Sequence, residues 1–159
     1  MAPIKRHEAL VHYSKEHHFG LLLGWKVRQG VDKNIDAERM KNYVAAACSA
    51  EIIPHFDNEE RELFVLLVQD DPLRLQAETE HAAIRQKLSD VTQNATHENL
   101  KEFTDMLDAH IRFEERQLFP HIEQQQSFEA YASAMKAHNA TPHNDFDAGW
   151  NDHFWKRAH

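Results

Sequence analysis

The sequence predicts an all-α protein: four long helices that suggest a bundle, followed by a short extra helix and a tail. Three observations carry this. Apolar residues recur at steps of three and four over long stretches, the spacing that keeps side chains on one helix face. No strand-like alternation of useful length interrupts them. Only 4 glycines and 5 prolines occur in 159 residues, too few for a turn-rich β architecture.

Each element has local support. Residues 7–29 lack proline and end at Gly30, a candidate helix C-cap. Asp36 is placed to cap a second helix running to about Val68, with Pro54 expected to kink it. Asp71-Pro72 puts an aspartate at an N-cap and a proline at the first helical position, opening a third helix to about Val91. Thr96 can cap a fourth, reaching about Pro120 or slightly beyond. Ser127 can open a fifth, shorter helix to about His138. The tail from Thr141, with Pro142, Gly149 and several aromatics, takes no assignment. Trp150, Phe154 and Trp155 there can pack on the helices or meet another chain. Residues 1–126 thus read as one helical domain, with 127–159 packed on it or extending from it.

Composition narrows the function. There are 18 Lys+Arg against 26 Asp+Glu, a net charge of −8, which argues against a nucleic-acid or anionic-membrane binder. The single cysteine, Cys48, forms no disulfide framework and reads as a small buried hydrophobe. No apolar stretch follows the N-terminus as a secretory signal would. The longest apolar run, Leu21-Leu22-Leu23, is too short to span a bilayer. The cytoplasm is therefore the expected location, and the sequons at Asn94 and Asn139 are read as chance. The 13 histidines are what an ordinary soluble domain leaves unexplained.

Their positions supply the explanation. Val44, Cys48, Ile52, His55, Glu59, Leu63 and Leu66 form one stripe of the second helix. Leu73, Ala77, His81, Ile84, Leu88 and Val91 do so on the third, and Leu100, Phe103, Leu107, His110, Glu114 and Leu118 on the fourth. Imidazoles and carboxylates thus fall on inward faces, where a polar group needs a partner and a carboxylate needs a positive charge. Two of these stripes share a repeat. His55–Phe64 and His110–Phe119 both read H-x-x-x-E-E-R-x-L-F. The bare H-x-x-x-E spacing is weak: 13 His and 15 Glu produce about one by chance, and His12 with Glu16 is a third instance read as idle. The ten-residue repeat is far more specific.

A histidine and a glutamate one turn apart on each of two helices, plus one histidine from each of the others, make four His and two Glu. That donor set suits a dinuclear site for Fe, Mn or Zn in which each ion takes two imidazoles and shares both carboxylates. Thiolate ligands are absent, which argues against copper(I) and iron–sulfur clusters. The alternative is a set of hydrogen-bonded core pairs, His55 with Glu59 and His110 with Glu114. Helix one offers both His17 and His18. The His17 face carries Leu10, Tyr13, Gly20, Leu21, Gly24 and Val27, and the His18 face Val11, Ser14, Leu21, Leu22 and Trp25. Both stay open. Glu60, Arg61, Glu115 and Arg116 read as solvated ion pairs or as supports behind the ligands. Phe64 and Phe119 read as packing; His7, His12, His97, His138, His143, His153 and His159 as surface or tail; His121 as structural.

Glu16-His17-His18, Glu80-His81 and the two repeats together resemble a hemerythrin-like (HHE cation-binding) domain, over roughly residues 7–126. The resemblance implies an up-down four-helix bundle holding a non-heme di-iron centre. His17 or His18, His55, His81 and His110 would be terminal ligands, and Glu59 and Glu114 bridges beside an oxo, hydroxo or water. It also implies a small diatomic ligand, O2 or NO, or peroxide. Oxygen-carrying members have H-x-x-x-H on the third helix, where this chain has Arg85 after His81. They also place a carboxylate five residues after the fourth-helix histidine, here Glu115; Glu114 at four matches the bacterial di-iron repair proteins instead. The resemblance therefore favours a binding or sensing module that takes up such ligands or holds iron. The alternatives are an enzyme reducing O2, peroxide or NO, and an iron donor in iron–sulfur repair. A ferritin-like oxidase ranks lower, because it wants two E-x-x-H motifs and only Glu78–His81 provides one.

Overall fold

A computed structural model describes residues 6–135 and 145–156. Among them the protein is helical and contains no strand. A 3-10 turn, Glu8–Leu10, leads into α1 (Val11–Asp32). The remaining α-helical segments are α2 (Ala37–Ala47), α3 (Ile53–Asn58), α4 (Pro72–Gln93), α5 (His97–Phe113), α6 (Phe119–Glu123) and α7 (Gln126–Met135). Helix α1 packs along α5, and α5 along α4.

Three of the expected caps are in place, while Ser127 is a correction: it lies inside α7, which starts at Gln126, and its hydroxyl donates to the Leu66 carbonyl. The Asp36 carboxylate accepts from the Glu38 N–H, that of Asp71 from Leu73 and Arg74, and the Thr96 hydroxyl from Asn99. Gly30 is a correction. It lies inside α1, which ends in a Schellman motif two residues later: the Asn34 N–H reaches the Val31 carbonyl, and the Ile35 N–H reaches that of Gly30. The residue in the left-handed conformation is Asn34, at φ 55°. Gly30 serves packing instead. A Cβ there would collide with the Met40 sulfur and come within 2.9 Å of the Phe154 ring.

Pro54 does not simply kink the second helical stretch. A π-turn, Cys48–Ile52, precedes it, closed by the Ile53 N–H on the Cys48 carbonyl. Widening the turn makes room for a ring that has no N–H to donate and would crowd the carbonyl four residues back. Two further π-turns occur, one after the histidine of each repeat. Glu59–Leu63 is closed by Phe64 on Glu59, and Glu114–Leu118 by Phe119 on Glu114. The repeat therefore encodes one backbone departure twice.

Two apolar clusters divide the core. One gathers Leu23, Val27, Tyr43, Val44, Phe103 and Leu107; the other, Leu10, Tyr13, Leu63, Phe64, Leu118 and Phe119. The tail packs on the first. Phe146, Trp150, Phe154 and Trp155 all surround the Tyr43 ring. Lys26, 96% withdrawn from solvent at 4% exposure, bonds the Tyr43 hydroxyl at 3.2 Å, pairs with Asp147, and lies 4.4 Å over the Trp155 ring. Lys26 drew no notice in the sequence because its partner lies over a hundred residues away. The expected end of the fifth helix at His138, together with His143 and His159, lies outside the described residues. No described helix is long and apolar enough to cross a membrane.

Gly30→Ala is expected to destabilise the protein by about 1–3 kcal/mol, the usual cost of overpacking. Gly149→Ala, with no atom within 4 Å of the added carbon, should be close to neutral. Urea denaturation of the two variants checks this; equal stabilities would refute the packing role of Gly30.

Candidate metal centre

Six of the seven singled-out side chains converge. His17 comes from α1, His55 from α3, His81 from α4 and His110 from α5, while Glu59 and Glu114 open the two repeat π-turns. All six are buried, and both glutamates have no exposed surface. They form two overlapping groups, His17-His55-Glu59-Glu114 and Glu59-His81-His110-Glu114, whose ligand atoms lie within 4.8 Å of one another. Both glutamates belong to both groups.

His18 is the seventh, and it lies apart from the other six. It is exposed on the outer side of α1, one residue out of phase with buried His17. The apolar residues that recommended its face, Leu21, Leu22 and Trp25, are themselves 37–48% exposed. That face is an outward apolar stripe, which imitates a core stripe in sequence.

Around the glutamates the imidazole Nε2 atoms turn inward. Glu114 lies 2.8 Å from His17 and 3.4 Å from His110; Glu59 lies 3.2 Å from both His55 and His81. Of these contacts only His17 to Glu114 is a hydrogen bond. The Nε2 atoms of His55, His81 and His110, both Glu59 oxygens and one Glu114 oxygen are buried without one. Buried polar atoms are ordinarily satisfied. Six orphans around one point, all imidazole nitrogens or carboxylate oxygens, are the donor set of a divalent or trivalent cation. The residues present therefore fit a metal.

Each outer Nδ1 donates to a carboxylate. His17 bonds Glu115 at 2.7 Å, His55 bonds Glu16 at 2.8 Å, His81 bonds Glu60 at 2.6 Å, and His110 bonds Glu80 at 2.7 Å. Because a carboxylate only accepts, these bonds put a proton on Nδ1, so Nε2 is the nitrogen turned to the inner glutamates, with a second proton when the imidazole is charged or its lone pair free for a metal when it is neutral. The bonds close a ring, since α1 supplies the carboxylate for α3, the Glu59–Leu63 turn for α4, α4 for α5, and the Glu114–Leu118 turn for α1. Arg6 backs Glu115 at 2.9 Å and Arg85 backs Glu60 at 2.7 Å.

Glu60 and Glu115 thus stand behind ligand candidates as supports. Glu16 and Glu80 were missed in that role, and Glu16 was read as idle. The signal was present: each directly precedes a histidine of the set, so it sits one position off the inward face and aims at the next helix. Arg61 and Arg116 are exposed, and His121 pairs with Asp71 at 2.6 Å.

Aromatic rings seal the cluster. Phe56 stacks on His81 with centroids 3.9 Å apart, and Phe119 on His17 at 5.3 Å. Burial in this shell pulls the imidazoles toward neutrality, but the carboxylates override it. His110 is pushed up to about 10 by Glu114 and Glu80, and His17, His55 and His81 are also raised. Burial likewise opposes ionisation of Glu115, yet its bonds to His17, Ser14 and Arg6 hold it down at about 2. Without metal, protons supply the positive charge that the buried carboxylates require.

A family model, described as Hemerythrin HHE cation binding domain, matches residues 10–122. That span contains all six clustered residues and the four supporting carboxylates. No curated protein and no solved structure matches the chain.

The raised imidazoles give the metal-free protein stability that is complete below their ordinary 6.5 and lost as pH rises through the folded value, about 10 for His110. Its melting temperature is expected to fall between those limits, and the fall should be smaller in His110→Ala. A flat profile over that window would refute the charged-imidazole state.

Proposed function

Since this chain belongs to the hemerythrin HHE cation-binding domain family, we propose that it is an up-down four-helix bundle holding a dinuclear non-heme iron centre. His17 and His55 would hold one ion and His81 and His110 the other, with Glu59 and Glu114 shared between them. The observation that carries this reading is the pair of groups sharing two fully buried glutamates, three of whose four oxygens lack hydrogen-bond partners. Zinc and manganese are the expected substitutes.

The function that fits best is binding or sensing of O2, NO or peroxide. Iron, when bound, supplies open coordination positions and redox change. The chain's own residues do the rest. The four outer carboxylates lock the imidazole tautomers and raise their basicity. Phe56, Phe64, Phe113 and Phe119 exclude water, which strengthens each charge interaction inside. The missing third-helix imidazole speaks for a binding or sensing module over a reversible oxygen carrier. Arg85, at the position of a fifth imidazole, is engaged with Glu60 and Asp57.

Metal analysis tests the centre. Protein purified without added metal and then given Fe(II) anaerobically is expected to hold about two irons per chain. Fewer than one would sink the dinuclear reading. Glu59→Ala and Glu114→Ala should lower the stoichiometry. Glu60→Ala should keep it while weakening affinity about 10–100-fold, the usual cost of losing a carboxylate behind a histidine ligand. Equal losses in all three would refute the division of roles. NO or O2 consumption that continues through many cycles would make the protein an enzyme instead.

A further inference from the structure

One buried phenol borders the centre and has no part in holding it. Tyr13 lies on α1 one turn before His17 and is fully buried. Its ring meets the edge of His55 with centroids 5.8 Å apart. It also meets Phe119, the ring stacked on His17, at 6.3 Å. The other side chains in ring contact with the four histidines, among the described residues, are phenylalanines and the histidines themselves. Tyr13 is thus the readily oxidised ring against the cluster.

Its hydroxyl is equipped for that chemistry. It donates to a Glu62 carboxylate oxygen at 2.6 Å, a short bond to an ionised acceptor. Glu62 is three residues past Glu59 and about one-third exposed, so a proton received there can pass to water. A second phenol belongs to the same apolar cluster: Tyr131 of α7 packs against it, and its hydroxyl is buried without a hydrogen-bond partner. Tyr131 is half-buried, and α7 has exposed positions on either side of it. The other tyrosine, Tyr43, sits among the tail aromatics.

We propose that Tyr13 is a one-electron donor to the centre, with Glu62 as its proton acceptor and Tyr131 as the next phenol toward the surface. The inference rests on the iron reading above. Hydrogen peroxide needs two electrons to break its O–O bond and leave as two waters, with two protons from solvent. When the centre has only one electron to give, as one Fe(II) becoming Fe(III), Tyr13 gives the other. Its phenolic proton moves to Glu62, and a neutral phenoxyl radical remains. Electron transfer from Tyr131 would then restore Tyr13 and carry the oxidising equivalent outward, away from the histidines.

The test uses the full chain loaded with iron, its iron content measured first, then oxidised to the one-electron-reduced level. It is mixed with hydrogen peroxide, freeze-quenched and read by electron paramagnetic resonance. A radical whose hyperfine splitting changes with ring-deuterated tyrosine is expected. Tyr13→Phe should abolish it with iron content unchanged, Glu62→Gln should reduce its yield, and Tyr131→Phe should lengthen its life. Tyr43→Phe should leave it intact. Iron-loaded protein that forms no tyrosine-derived radical, or forms the same one in Tyr13→Phe, overturns the proposal while leaving the iron reading standing. Failure to bind iron overturns both.

Discussion

Two carboxylates with no exposed surface set the terms for the rest of this molecule. Glu59 and Glu114 carry negative charge into an interior lined by phenylalanines, where an unpaired ion costs several kcal/mol. The surrounding residues can be understood as ways of meeting that cost. Four imidazoles face the two glutamates, and four more carboxylates hold those imidazoles by their far nitrogens. Arg6 and Arg85 then anchor two of these outer carboxylates at the rim. Charge alternates outward in layers, and the innermost positive layer can be protons or metal. The same helices therefore serve as a fold and as a cation site, and neither role can be altered without the other.

Much of the fold was legible because its signals are local. Asp36, Asp71 and Thr96 act within three residues of themselves, so a cap can be read without knowing what lies across the chain. The features that escaped involve distant partners. Gly30 looked like a helix end, but Met40 and Phe154 require a small residue there, while Asn34 turns the chain. The tail had no periodicity to read, since it is fixed by a lysine and a tyrosine on α1 and α2. The π-turns were hidden for another reason. Each adds one residue to a turn without changing composition, so a proline is visible where a widened turn is not.

The site was legible to the extent that it follows helical periodicity. His55, Glu59, His81, His110 and Glu114 fall on apolar stripes, and the structure gathers them with His17. Periodicity failed on α1, where Leu21, Leu22 and Trp25 make an outward stripe resembling an inward one. It also gave no weight to Glu16 and Glu80. A residue next to an inward position points sideways, toward the neighbouring helix, and only the spatial order of helices says whose histidine it meets.

The ring of outer bonds carries one more implication. Glu16 to His55 and Glu80 to His110 stay within one half of the chain, while Glu60 to His81 and Glu115 to His17 cross between halves. Each half has the same parts in the same order: a Glu-His pair, then the repeat with its π-turn. Exchanging the halves maps the pattern of bonds onto itself, the signature of two-fold pseudosymmetry. One half supplies two imidazoles and one inner glutamate, which is half a donor set. Two copies of such a helical hairpin, related by a two-fold axis, would complete it, so this chain has the logic of a homodimer joined into a single polypeptide.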